Sequence, residues 1–362
     1  MALILRATLR AAPQQVRVVS PVRPGAARGL VRRVYAQVIR EFGVLGPPIA
    51  LHSPAPAVLA AAWMMLRESL LATGLVDRAT KEGVAAAVSL GNICPYCVQV
   101  HSATMYGLVR GPDAVAIADD RVDDIGDPAV RAIAGWAKAS GNREPAARHR
   151  PPLDRLDELA ELIAVAVTFQ HYNRMVNVFL VDSPFPPGVP PSARATVLRV
   201  FGRLMRRAAG KTIRPGRSLD LLPPARLPGD LPWAAGRGAL AEAFARSAAA
   251  VDAAGNRSVP PSVRSLVLSS LDRWRGQPIG ISRAWVEDLV AGLAAADRAA
   301  GRLALLTAMA SYQVDESLVR EVRRALPDDR SLVELVSWAS LAAARRVGRW
   351  LWDDATAHLA RM

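Results

Sequence analysis

The chain has 362 residues, about half of them apolar and 22% charged, which suits about two globular domains and excludes a disordered chain. Its net charge of +14 would raise a nucleic-acid reading, but all except three of its 46 cationic residues are arginine in an alanine-rich background. That bias is what a GC-rich coding sequence produces without selection for a ligand, and no zinc-finger, basic-zipper or aromatic RNA-binding pattern accompanies it.

The first forty residues carry eight arginines and no acid, which superficially suggests a transit peptide. They lack serine enrichment, however, and "LVRRVYAQVIREFG" (30–43) is an ordinary amphipathic helix, so a native N-terminal helix in a cytoplasmic protein is expected. "GVLGPPIALHSPAPA" (43–57) is expected to be a Pro-rich loop, with His52 in a loop or capping role. The next helix, 54–74, stops at Gly74. Its apolar run, 55–66, ends at Arg67, far short of the ~20 residues a membrane span needs, and no span is predicted. A helix over 78–92 ends at Gly91-Asn92, and a cysteine-bearing helix ends near Gly111-Pro112. Asp127 followed by Pro128 marks another helix start. "RLDELAELIAVAVTFQHYNRMVNVFLV" (155–181) closes the first half; its His171 is a pocket residue or a hydrogen-bonded structural one.

The composition then shifts. A Pro-rich break, a stretch with eight basic and no acidic residues (193–217) and a second Pro-rich stretch make residues 183–235 a linker between residues 1–182 and 236–362. The basic stretch is read as a solvated linker helix, with a membrane surface or an anionic partner as the alternative. The last part reads as a worn copy of the first. Laid without gaps on 76–101, residues 259–284 match its apolar positions and place Pro278 on Pro95. The same alignment puts Ser265 on Glu82, Gln277 on Cys94, Gly280 on Cys97 and Ala284 on His101. Farther on, 332–346 echoes 159–173.

The only cysteines are Cys94 and Cys97, with His101 four residues beyond. Two thiols three residues apart cannot staple separate elements. At i, i+3 and i+7 the three side chains share one helix face. Pro95 suits the first helical position, so Cys94 is the expected N-cap, with both sulfurs at the positive end of the helix dipole, where thiolates are stabilised. His101, one turn below Cys97, can take its proton. Glu82 would lie about 18 Å from Cys94 along an unbroken helix. A chain reversal at Gly91-Asn92 would instead carry Glu82 alongside the cysteine helix. A buried Glu–His–Cys chain is a proton relay in which the carboxylate orients the imidazole and the imidazole activates the thiol.

This E-x11-C-x2-C-x3-H spacing over Glu82, Cys94, Cys97 and His101 resembles the signature of the AhpD-like alkyl hydroperoxidases, all-helical members of the carboxymuconolactone decarboxylase family. The flanking 41–56 and "FQHYNRMVNVF" (169–179) are similar to the family's loop after its first helix and its later Asn-Arg-bearing helix. The resemblance covers roughly 30–182 well and the rest as a faded repeat. It implies an all-α, AhpD-like fold in two related halves, the second degenerate. It implies peroxidase activity with Cys97 as the peroxidatic and Cys94 as the resolving cysteine. The implied partners are a peroxide substrate and a dithiol reductant, dihydrolipoamide or a thioredoxin-like protein, with no organic cofactor. Small helical units of this kind form rings, so a homo-oligomer is expected.

Other readings use the same residues. One is a protein disulfide oxidoreductase or redox sensor, which needs the same activated thiol. A second is a non-catalytic interaction module or a metal site using Cys94, Cys97, His101 and Glu82 as four ligands. The third is a pair of inert buried cysteines. A thioredoxin site would need a βαβ context that the helical pattern denies.

Overall fold

The structure, a computed structural model, describes residues 15–109, 112–149, 155–184, 202, 206 and 210–359. Its helices are α1 (Gly29–Glu41), α2 (Pro47–Ala50), α3 (Pro56–Leu66), α4 (Arg78–Gly91), α5 (Pro95–Val109), α6 (Pro112–Ala118), α7 (Pro128–Ala139), α8 (Arg143–Arg148) and α9 (Leu156–Phe179). After residue 235 follow α10 (Ala239–Ser258), α11 (Pro261–Arg273), α12 (Ala284–Val290), α13 (Ala295–Ala310), α14 (Glu316–Ala325) and α15 (Asp329–Leu359). Among the described residues the one extended pairing is a bridge between Val16 and Leu180. None of the described helices is long and apolar enough to cross a membrane.

Local sequence explains the helix starts. Asp77 caps α4 by accepting from the Thr80 amide, and Asp127 caps α7 by accepting from Ala129 and Val130, with Pro128 in the first turn. The Pro-rich stretch expected to be a loop contains the short helix α2, since Pro47 and Pro48 sit in a first turn that needs no donor. Beyond α3 the helix widens over Arg67–Leu71, where the Ala72 amide reaches back to the Arg67 carbonyl. Arg67 and Glu68 are both buried there. Arg67 pairs with Glu41 and Glu68, and Glu68 also accepts from the Gly216 amide and the Ser218 hydroxyl.

α9 is the central element. It is buried on nearly every side, because α4 packs on one flank and α15, its sequence echo, on another. α3 likewise packs against α10. One continuous apolar core runs through both parts of the chain. At Gly348 a Cβ would come within 2.5 Å of Val167 Cγ2, so the close crossing of α15 and α9 demands glycine. Ser340 donates to the His171 carbonyl, Ser247 to the Ala61 carbonyl, and Arg143 forms a bidentate pair with Asp354.

Much of the basic stretch expected as a linker helix, 194–201, 203–205 and 207–209, lies outside the described residues. Its C-terminal end is tied down, with Thr73 and Ile213 exchanging backbone and side-chain bonds. On the far side of the alignment, Pro278 does not open a helix as Pro95 does. Residues 274–283 are irregular, Gly276 and Gly280 adopt positive φ of 80° and 76°, and α12 begins only at Ala284.

Candidate active site

α4 and α5 pack side by side because the chain reverses between them. The reversal needs Gly91, where a Cβ would lie 2.1 Å from the Lys138 carbonyl oxygen at the end of α7. It also needs Ile93 in the left-handed region, φ 51°, a strained conformation for a β-branched residue. Cys94 then stands at the N-cap, its carbonyl accepting the first helical bond from Val98, as the sequence predicts.

The reversal carries Glu82 to His101. Glu82 Oε2 lies 2.6 Å from His101 Nδ1, and the carboxylate is almost wholly buried. Its other oxygen accepts from Arg78 Nε at 2.8 Å and Nη2 at 2.6 Å. Burial pushes the Glu82 pKa up, but the positive charge of Arg78, then the interaction with His101, outweighs it and the net shift is downward. The carboxylate therefore stays ionised and accepts a hydrogen bond from the Nδ1–H of His101. That fixes the imidazole tautomer with a lone pair on Nε2, the state required of a base. Phe169 closes the site edge-on to His101, with ring centroids 4.5 Å apart.

Cys94 and Cys97 are free thiols, 1% and 4% exposed. The sequence suggests that the helix dipole stabilises both thiolates. For Cys94 the structure reverses this. Burial, followed by the neighbouring Cys97, pushes its pKa well above the ordinary range, and hydrogen bonds from the Cys97 backbone and Asn173 only partly offset them. Between the cysteines, Tyr96 is buried and donates to Gln15 Oε1.

Arg78 escaped the sequence reading although the signal was there, four residues before Glu82 on the same helix face. Asn173 and Asn177 also escaped it as site residues. They reach Asn92 in the reversal from α9, and no local pattern announces a contact across more than 80 residues. Two other histidines of the first half, His52 and His171, lie apart from the relay. His52 and His171 stack near each other and near Tyr172, with centroids 5.5 to 5.8 Å apart. His52 Nδ1 faces the Ile49 carbonyl, while among the described residues neither ring nitrogen of His171 has a hydrogen-bond partner. Burial holds His52 down to about 4 and His171 well below its ordinary value, so both are neutral. The four-ligand metal arrangement is also disfavoured, because Glu82 is already committed to Arg78 and His101. No group of three metal-binding side chains forms among the described residues.

Residues 57–139, which contain all four residues of the signature, match the sequence profile of the carboxymuconolactone decarboxylase family. Over 344 residues the chain is 38% identical to "Alkyl hydroperoxide reductase Rv2159c" of Mycobacterium tuberculosis, a match spanning 95% of this chain and 97% of that protein. This chain belongs to the carboxymuconolactone decarboxylase family, on its AhpD-like branch. The all-helical, AhpD-like fold expected from the signature is the fold observed. Coverage of the relative is almost end to end, so the second half of this family member is shared with it rather than peculiar to this chain.

Proposed function

We propose that the chain is a thiol peroxidase that reduces hydrogen peroxide or alkyl hydroperoxides with electrons from a dithiol. The carrying observation is the buried Glu82–His101 contact of 2.6 Å, one helical turn from Cys97. His101 Nε2 takes the Cys97 proton. The thiolate attacks one peroxide oxygen, the O–O bond breaks, and the departing alkoxide or hydroxide takes a proton from the imidazolium. Cys97 is left as a sulfenic acid. Cys94 attacks its sulfur and water leaves, giving the Cys94–Cys97 disulfide. A dithiol then returns two electrons by exchange through a mixed disulfide and is itself oxidised to a disulfide.

The near-complete burial of both sulfurs favours this reading over a protein disulfide oxidoreductase. A peroxide can enter a narrow site, whereas a protein thiol must reach a sulfur 4% exposed at most. The same restriction favours a dithiol on an extended arm, such as dihydrolipoamide, over a thioredoxin-like surface. In this reading residues 236–362 are a degenerate, catalytically empty copy, the assembly is a homo-oligomer and the protein works in the cytoplasm, where thiols stay reduced. Peroxide consumption by the purified protein with dihydrolipoamide tests the proposal. Turnover lost on Cys97→Ser supports it, and absence of peroxide consumption by the fully reduced wild type refutes it.

A further inference from the structure

The relay accounts for Cys97 but leaves Cys94 with a chemical difficulty. In the proposed cycle Cys94 must bear thiolate character twice, when it attacks the sulfenic acid and when it leaves during reduction of the disulfide. It is the more buried of the two cysteines.

The answering feature lies on α9. Gln170, Asn173, Arg174 and Asn177 fall at i, i+3, i+4 and i+7, on one face. Asn173, fully buried, donates from Nδ2 to Ser89 Oγ at 2.9 Å and accepts at Oδ1 from Asn92 Nδ2 at 2.9 Å. Ser89 in turn holds the Cys94 backbone, since its carbonyl accepts the Cys94 amide at 2.9 Å. The Asn173 side chain also acts on the Cys94 thiol, pulling its pKa down against burial and Cys97. Asn173 thus grips the reversal at Ser89 and Asn92, just before strained Ile93, and acts on the thiol that follows.

The second half holds this face in place. Asn177 Nδ2 bridges the Asn92 carbonyl at 3.2 Å and Ser311 Oγ at 3.0 Å. Arg174 Nε donates to the Ala308 carbonyl at 3.0 Å, and its guanidinium stands 5.9 Å from the Trp274 ring. Ser311, Ala308 and Trp274 all belong to the part of the chain without cysteines.

We propose that Asn173 is the positioning residue for Cys94, a fixed neutral donor that orients the resolving sulfur and stabilises its thiolate, with the second half anchoring the α9 face that carries it. This rests on the thiol-peroxidase reading for its place in the cycle. In the closing step the Cys94 sulfur bonds to Cys97, the S–OH bond breaks, and the Cys94 proton leaves with the hydroxide as water. In the reductive step a dithiol sulfur bonds to Cys97 and the electron pair of the S–S bond leaves on Cys94. An amide suits both steps because it donates without titrating. The titratable groups beside Cys94 are Cys97 and Tyr96 on its own helix, whereas α4 and α9 contribute Ser89 and Asn173, which carry no charge.

The test has two arms. In a Cys97→Ser background, Cys94 alkylation is followed against pH in the intact chain with Asn173 present, with Asn173→Asp and with Asn173→Leu. A hydrogen bond to a charged group is worth ~1.5–3 kcal/mol, so both variants should raise the alkylation midpoint by about one to two pH units. Asn173→Asp keeps the shape and guards against a leucine variant that does not fold. In the two-cysteine protein, a single pulse of hydrogen peroxide should oxidise Cys97 at the wild-type rate while disulfide closure slows about 10- to 100-fold. The delay should be visible as dimedone-trapped Cys97. Asn177→Ala, which cuts the tether to Ser311 without meeting the sulfur, should slow closure by a smaller factor. An unchanged Cys94 midpoint in folded Asn173→Asp overturns the assignment, as does wild-type closure. If the midpoint shifts but the wild type consumes no peroxide, the peroxidase reading falls and the role of Asn173 toward Cys94 stands.

Discussion

Replacing Glu82 by glutamine removes one charge and almost no volume, so its effect isolates the relay. In the wild type, Glu82 accepts three hydrogen bonds, two from Arg78 and one from His101 Nδ1, and offers no donor. A glutamine must turn its NH2 toward one of them. Against Arg78 it would meet two donors, so the amide oxygen stays on Arg78 and the NH2 faces His101. The imidazole can accept that bond only by moving its proton to Nε2, the nitrogen needed as the base. The variant therefore holds His101 in the wrong tautomer, and it cannot stabilise an imidazolium in any tautomer. Positioned acid–base groups are worth ~10²–10⁴-fold, and turnover should fall within that range. Arg78 loses its carboxylate, but its side chain is 14% exposed and can reach water, so the stability loss should be only about 1–3 kcal/mol. Stopped-flow peroxide consumption with dihydrolipoamide, beside a thermal melt, gives both numbers. Wild-type turnover in a well-folded Glu82→Gln protein would remove Glu82 from the mechanism.

Cys94 should alkylate more slowly than Cys97 at neutral pH, because burial pushes its thiol up; comparison of the two single-cysteine variants checks this, and a faster Cys94 would reverse the assigned roles. Cys94→Ser should still reduce one equivalent of peroxide and then stop with a trappable sulfenic acid on Cys97. Acid should destabilise the fold through His52, whose pKa falls from 6.5 when unfolded to about 4 when folded. The unfolded chain binds that proton first, so stability is complete above about 6.5 and is lost as pH falls toward 4, by about 3 kcal/mol. Urea unfolding of wild type and His52→Gln across that window should show the slope shrink in the variant; an equal slope in both excludes His52 as its source. A chain ending at residue 182 should aggregate or change its assembly, since the core runs on into α10 and α15. A soluble, monodisperse fragment of normal stability would show that the second half is an independent module.

The long helices before the junction and the four signature residues were legible because their determinants are local. Asp127 and Pro128 announce a helix start within three residues, and Gly91-Asn92 announces a helix end. The spacing of Cys94, Cys97 and His101 fixes a shared face on any helix. The meeting of Glu82 with His101 followed once a reversal was granted at Gly91-Asn92. Arg78 was equally legible by its spacing but carries no motif. Three things were decided only by tertiary structure. The depth of Cys94 turns a position that favours a thiolate into one that opposes it, because desolvation exceeds the pull of the helix end. The isolation of His52 and His171 from the relay depends on which face of α9 meets α4. The hold of Asn173 and Asn177 on the cysteine turn joins residues 81 to 134 positions apart, with a second half that contains no cysteine. Sequence spacing determines which side chains one helix presents together; what burial does to their charges, and which distant amides meet them, depends on how the helices pack.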